Sequence, residues 1–425
     1  DSTGDGSGSG TLRWAIEAHT AAGGTNEMRF DKSLSGQVIP LSAELTPNNS
    51  GTLTIDGSGA PGMSIEGSPD GSIFVIDGSP HVELRDLTLG NSVGPHGGSC
   101  LRLRAGDAEI VVLRSRFIGC ETVDFDGFGI GGGAVAIEFN QNGPGRLTVM
   151  ESVFVNNHAR SEAGGAVGGA VSVNGGHSIL LERNTFQGNS SEAGGSAIAR
   201  GGAVYVFNVD ATILHNEFRS NHAPRGRGGA LAMAQPLTRF GALRSNLFER
   251  NSSAEGAGVW VDNWTLTLGR PSFEFTQNTF VSNTSDSKAG GALFLQGGDL
   301  SIRSNTFADN SNLSGGGANF AFIPLVEFVS FWNNLFGPAA SPSCAIDGVT
   351  TVPFPSSGFN LRPDDSCGLD GLNDIVGDAG AFLPLGDYGG PTRTLPPAAG
   401  NLALDRANPL LPGVGDPALC PPFDA

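Results

Sequence analysis

Apolar residues in this chain come in short runs, many of them alternating with polar ones at a period of two: Val204-Tyr-Val206, Leu293-Phe-Leu295, Leu300-Ser-Ile302, and the continuous Ile179-Leu-Leu181. Runs of this length, ended by Gly, Asn and Ser, predict short strands with one buried face. The one clear helical pattern is Thr11-Leu-Arg-Trp-Ala-Ile-Glu-Ala-His19, with Leu12, Ala15, Ile16 and His19 on one side. It is expected to cap the first strands, whose open edge would otherwise expose a row of free backbone groups.

The runs recur with a fixed punctuation. Asn-x-Phe-x-x-Asn, or a close variant, centres on Phe117, Phe154, Phe186, Phe218, Phe248, Phe280 and Phe307 and fades at Phe336, with spacings of 37, 32, 32, 30, 32, 27 and 29 residues. Between these lies Gly-Gly-Ala or a relative of it, at Gly132-Gly-Ala134, Gly168-Gly-Ala170, Gly202-Ala203, Gly229-Ala230, Gly258-Val259, Gly291-Ala292 and Gly317-Ala318. A period in this range made only of strands and turns indicates a solenoid with room for three strands per coil. The expected fold is all-β, a single-chain right-handed parallel β-helix of roughly ten or more coils with a short N-terminal capping helix. The stretch from Leu53 to Leu89 alternates without the Phe marker and is expected to form earlier, less regular coils. The organisation expected is a cap over 1–30, the β-helix over 31–340, and irregular coils and a cap over 341–425.

Stacking sets equivalent residues about 4.8 Å apart, so the Phe positions become an interior aromatic stack. A turn asparagine can donate its amide to one neighbouring coil and accept from the other, and Asn tolerates the left-handed backbone that corners need. The Gly-Gly pairs read as corners with positive φ and close approach, because a strand follows where a phosphate-cradling loop would need a helix.

Composition narrows the function classes. The net charge of −18, from 42 acidic against 24 basic residues, argues against nonspecific binding to nucleic acid or an anionic membrane surface. No run of 18 apolar residues occurs, so no ordinary membrane-spanning helix is expected. Lys32 and Lys288 are the only lysines, an arginine bias that fits a GC-rich bacterial gene. The five cysteines match no CxxC pattern, which favours disulfides over zinc. Cys100 and Cys120 lie less than one repeat apart, and Cys344 and Cys367 flank a Pro- and Gly-rich loop, so each pair can staple a local feature in an oxidising compartment. Cys420 is left over. No signal peptide precedes Asp1, which fits a processed N-terminus and equally a trimmed chain.

Taken together, Gly-Gly-Ala-aliphatic alternating with Phe-x-x-Asn resembles the repeat of the polymorphic outer-membrane proteins. The start Gly10-Thr-Leu-Arg-Trp-Ala-Ile16 resembles bacterial extracellular β-helix proteins with a choice-of-anchor C-terminal region. So does the end, with Cys344, Ser357-Gly-Phe-Asn-Leu361, Asp365-Ser-Cys367-Gly-Leu369, Leu385-Gly-Asp-Tyr-Gly-Gly-Pro-Thr392 and Ala403-Leu-Asp-Arg406. The resemblance implies an extracellular location, a loop-closing Cys344–Cys367 pair and a Gly-Gly-Pro-Thr segment leading into a final coil. It also implies a continuation beyond Ala425 that holds a partner for Cys420 and an anchor.

Chemistry, if present, belongs in a shallow groove along one sheet. Asp124 and Asp126, in the insertion Glu121–Gly129, would point the same way if extended, and are read as a solvated loop, a calcium site or a catalytic carboxylate pair. The residues after Phe-x-x-Asn carry His158, Arg160 and Glu162, then Glu192, then His222, Arg225 and Arg227, then Glu255 and Asp286. If they stack, they form a mixed-charge stripe, either a salt-bridged edge or a binding groove. His158 and His222 fall two coils apart, about 10 Å, too far to share one zinc, and no metal site is assigned. Arg102, Arg104, Arg114 and Arg116 are the densest basic cluster. Trp260 and Trp264 offer a sugar-stacking platform unless Trp260 is core. Asp-Gly and Gly-Asp pairs at Asp5, Asp56, Asp77 and Asp378 leave calcium open, although turn chemistry accounts for them. The leading reading is a secreted or surface-exposed structural or adhesive protein, a spacer, adhesin or assembly subunit, meeting a cell-surface or matrix component, a polysaccharide or its own copies. The alternative is a carbohydrate-active enzyme, a polysaccharide lyase or glycoside hydrolase, working in the groove.

Overall fold

A computed structural model describes residues 8–47, 51–78, 80–124, 130–139, 143–234, 240–262, 271–287, 290–315, 317–323, 329–338, 342–346, 356–404 and 406. Among these residues the strands form four long parallel sheets, of twelve, thirteen, eight and ten strands, and a two-stranded extension. Here the sheets are called faces 1, 2, 3 and 4, in the order in which one coil crosses them. A representative coil runs through Arg146–Met150 on face 1, Val153–Val155 on face 2, His158–Ser161 on face 3 and Val171–Asn174 on face 4. Every strand pairs in parallel with the equivalent strand one coil on, as Phe154 with Phe186, so the body is a β-helix. The irregular early strands Thr52–Asp56, Ser64–Glu66 and Phe74–Asp77 join faces 1, 2 and 4.

The expectation of three strands per coil needs correction, because the central coils carry four. The residues read as a charged corner after Phe-x-x-Asn are themselves a strand. In His158–Ser161 the inward positions are Ala159 and Ser161, both buried, while His158 and Arg160 face out. Small and polar inward residues leave no apolar alternation for a sequence reading to detect.

The interior is laddered. Phe117, Phe154, Phe186, Phe218, Phe248, Phe280, Phe307 and Phe336 stack ring on ring with centroids 4.7–4.9 Å apart. Two buried asparagine columns flank this stack. In the column after the Phe, Asn189 Nδ2 donates to Asn221 Oδ1 at 3.0 Å and to the Phe154 carbonyl at 3.1 Å, and Asn221 Oδ1 also accepts from the Asn189 backbone N–H at 3.0 Å. The same three bonds repeat in the column before the Phe, for instance where Asn184 meets Asn216. All the amides point one way. The column before the Phe therefore ends with donors, and the acceptor-only carboxylate of Asp374 receives both the backbone N–H and Nδ2 of Asn360, at 2.8 and 3.0 Å.

The left-handed corner residue is not the ladder asparagine but the one before it. Arg183, His215, Ser245, Gln277 and Ser304 at one corner, and Asn156, Ser220, Arg250, Ser282 and Asp309 at the next, all have φ between 52° and 58°. The asparagine side chain supplies the hydrogen bonds while its neighbour takes the strained backbone. Glycine works as expected at the face 4 corner. Gly168 has φ of 61°, and a Cβ there would lie 2.2 Å from the Val171 carbonyl oxygen.

The N-terminal helix forms over Leu12–Ala22, with Thr11 as its N-cap accepting from the Trp14 N–H and Leu12, Ile16 and His19 buried over the first coil. Burial lowers the pKa of the His19 imidazole. Both expected disulfides are present, Cys100–Cys120 and Cys344–Cys367. Cys120 stands where later coils place a ladder asparagine, and its N–H donates to Asn157 Oδ1 at 3.0 Å. Cys420 lies outside the described residues.

The Gly-Gly-Pro-Thr segment does not lead into a final coil. It is the tip of a strap whose two limbs are bridged in antiparallel fashion, Phe382 to Pro397 and Gly386 to Thr394. The strap runs back along the outside of face 2. Thr392 Oγ1 donates to the Ser245 carbonyl at 3.1 Å, and the Arg393 guanidinium lies 2.5 Å from the Glu249 carboxylate and 3.5 Å from that of Glu217. Along this strip the outward-facing Leu247, Glu249, Thr279, Val281 and Ala308 are buried, whereas the equivalent Val153, Val155 and Thr185, nearer the N-terminus, are half-buried and Gln187 is exposed. Arg393→Ala removes charge-assisted bonds that reach two half-screened carboxylates. It should free the strap at a cost of about 2 kcal/mol, read as faster amide exchange over 380–397 with the Phe ladder unchanged.

Candidate functional site

Face 3 is the stripe that the charges foretold. Its outward residues pair across neighbouring coils: His158 Nε2 lies 3.6 Å from Glu192, Arg160 lies 3.5 Å from Glu121, and Arg227 Nε lies 2.8 Å from Glu255. His222 Nδ1 contacts Ser252 Oγ at 2.6 Å. His158 and His222 are separated by the coil of Ser190, two coils apart as expected. Glu162 is exposed beyond the strand end, and Arg225 is an exposed left-handed residue at an irregularity in His222–Arg227. The three charge pairs each bridge two neighbouring coils and do not converge on one pocket.

The carboxylate pair cannot be assembled, since Asp126 lies outside the described residues. Asp124 ends the strand Glu121–Asp124 and is in register with Ser161. The arginine cluster disperses. Arg102 and Arg104 lie on face 4, and burial together with Arg104 lowers the pKa of Arg102. Arg114 turns a corner onto Asp86 at 2.7 Å, which raises its pKa, and Arg116 stands exposed on face 2.

Trp260 is neither an open platform nor part of the inner core. Val259 and Val261 fill the interior, so Trp260 points outward from face 4, yet it is fully buried in a second apolar cluster with Ala232, Ala234, Phe294 and Ala321. The Phe294 ring lies 6.5 Å away and nearly parallel, and the Arg227 guanidinium sits 5.0 Å over the indole. Among the described residues, Trp260 Nε1 is buried without a hydrogen-bond partner. Trp264 is outside the described residues.

Two neighbours on this face escaped the sequence reading. Tyr205 lies two coils before Trp260, and Asp262, also buried, shares its strand. Burial raises the pKa of the Tyr205 hydroxyl, Arg200 lowers it, and Asp262 raises it again. The available signal was period two itself, because a Trp between two core valines must face the other way.

Among the described residues no group of three or more His, Cys, Asp or Glu side chains is arranged to hold a metal ion. At two of the Asp-Gly and Gly-Asp turns the carboxylate accepts from the backbone two residues on, Asp56 from the Ser58 N–H and Asp378 from the Gly380 N–H. No helix among these residues is long and apolar enough to cross a membrane.

A family model described as a right handed beta helix region matches residues 72–323, more than half of the chain. No curated protein and no solved structure matches.

Proposed function

This chain belongs to the right-handed β-helix family, and on that premise we propose that it is an extracellular structural or adhesive protein, a rigid spacer that presents its outer faces to a cell surface or matrix. The observation that carries this reading is the continuity of the ladders. Phe stacks on Phe from Phe117 to Phe336, and between Glu121 and Glu255 the face 3 charges pair between neighbouring coils. A catalytic site of this fold would be expected to interrupt such regularity with convergent titratable groups. The two disulfides favour an oxidising compartment, and the Gly-Gly-Ala and Phe-x-x-Asn repeat supports a bacterial surface setting by its likeness to polymorphic outer-membrane proteins.

The test is binding without turnover. Beads carrying the chain should retain isolated cell-envelope or matrix fractions. Across a polysaccharide panel, neither reducing ends nor the ultraviolet absorbance of unsaturated products should rise above the blank. Unchanged melting in a chelator is expected if the Asp-Gly turns act without calcium.

One observation favours the enzyme reading, the Tyr205, Trp260 and Asp262 group on face 4, where burial raises the pKa of the Tyr205 phenol and both Arg200 and the buried Asp262 act on it. Saccharide cleavage that disappears in Asp262→Asn would replace the adhesive reading with this one.

A further inference from the structure

The strap does not lie flush on the helix. Between it and the corner of faces 2 and 3 is a cavity of about 430 Å³, within the size range of small-molecule sites. Its two walls differ in character. The strap contributes Phe382, Leu385 and Leu395, and the body contributes Arg250, Ser282 and Asp309. These last three are the left-handed corner residues of consecutive coils. They follow strands held in register, Leu247–Glu249, Thr279–Val281 and Thr306–Ala308, so they form a column with about 4.8 Å between members. Arg250 shares the Glu249 carboxylate at 3.3 Å. Neither the Asp309 carboxylate nor the Ser282 hydroxyl has a hydrogen-bond or ion-pair partner among the described residues. Phe382 is held in place by Gly337, where a Cβ would come within 2.7 Å of its ring.

A guanidinium, a hydroxyl and a carboxylate in a straight column, facing a phenyl ring and two leucines, suit a ring with hydroxyls on one edge and an apolar face on the other. The carboxylate accepts from hydroxyls and the guanidinium donates to them. We propose that the cavity under the strap is a saccharide site for a hexose bearing a methyl group, N-acetylated or 6-deoxy, with the methyl in the leucine wall. The proposal stands on the cavity and not on the adhesive reading, because capture of an envelope by the outer faces needs no ligand under the strap.

Saturation-transfer NMR on the full chain, with methyl N-acetyl-β-D-glucosaminide and methyl α-L-fucoside at millimolar concentration, tests it. At least one glycoside should receive saturation, most strongly at its substituent methyl. Asp309→Asn, which keeps a side chain tolerant of the left-handed corner, should weaken that glycoside by about tenfold or more with melting unchanged. Phe382→Ala should weaken it as well. No transfer to either glycoside would overturn the proposal, and so would binding undiminished in both variants.

Discussion

Asn221→Ala is expected to cost about 4 kcal/mol of unfolding free energy, far more than the loss of one polar side chain from a turn. Asn221 Nδ2 donates to the Phe186 carbonyl and to Asn251 Oδ1, both at 3.0 Å, and its Oδ1 takes the Asn189 backbone N–H and Nδ2. Truncation removes four bonds at once: the buried Asn189 N–H loses its partner and the Phe186 carbonyl loses the amide, while Asn189 Nδ2 keeps only the Phe154 carbonyl and Asn251 Oδ1 only the backbone N–H of residue 221. An orphaned buried group costs about 1–3 kcal/mol and each further lost bond about 0.5–1.5 kcal/mol, and partial relaxation or an entering water holds the total below the sum. Urea denaturation followed by circular dichroism measures it. Gln187→Ala, on the exposed side of face 2, should change stability by less than about 0.5 kcal/mol. Equal effects in the two variants would show that the column is ornamental.

Phe218→Ala should cost about 3–5 kcal/mol, the range for a buried aromatic truncated to a methyl group. Its ring is fully buried between Phe186 and Phe248, 4.9 Å from each, so the cavity opens on two stacked faces. Phe218→Leu keeps most of the volume and should cost less than about 1.5 kcal/mol. Thermal unfolding of the two variants reads the difference. If leucine destabilised as much as alanine, ring geometry and not filled volume would be what the ladder supplies.

Both effects concern residues that the sequence announced, for a physical reason. Phe and Asn recur in nearly every coil because a stack or an amide chain works only when its neighbours are the same kind of group. The face 3 strand was hidden because Ala159 and Ser161 fill its inward positions without apolar contrast. The outer cluster of face 4 was hidden because each coil puts a different residue there, Tyr205, Ala232, Trp260, Phe294 and Ala321 in succession. The left-handed column shows no identity at all, running Arg250, Ser282, Asp309. Of the charged candidates, pairing on face 3 followed from opposite signs one repeat apart, as with Glu121 and Arg160. The cavity could not be foreseen, since one of its walls arrives from the far end of the chain.

That arrival alters the thermodynamic shape of the molecule. A solenoid is ordinarily a line of nearest neighbours, able to fray from its last coil inward one coil at a time. Arg393 reaches Glu249 across 144 residues and the backbone of Arg393 reaches Glu217 across 176, so the strap bends the later coils of that line into a closed circuit. No coil between Glu217 and Pro338 can leave the stack without first opening the circuit, and opening it releases all of them from the same constraint. The coils from Glu217 onward should therefore melt in one step while those before it keep the graded behaviour of a repeat array.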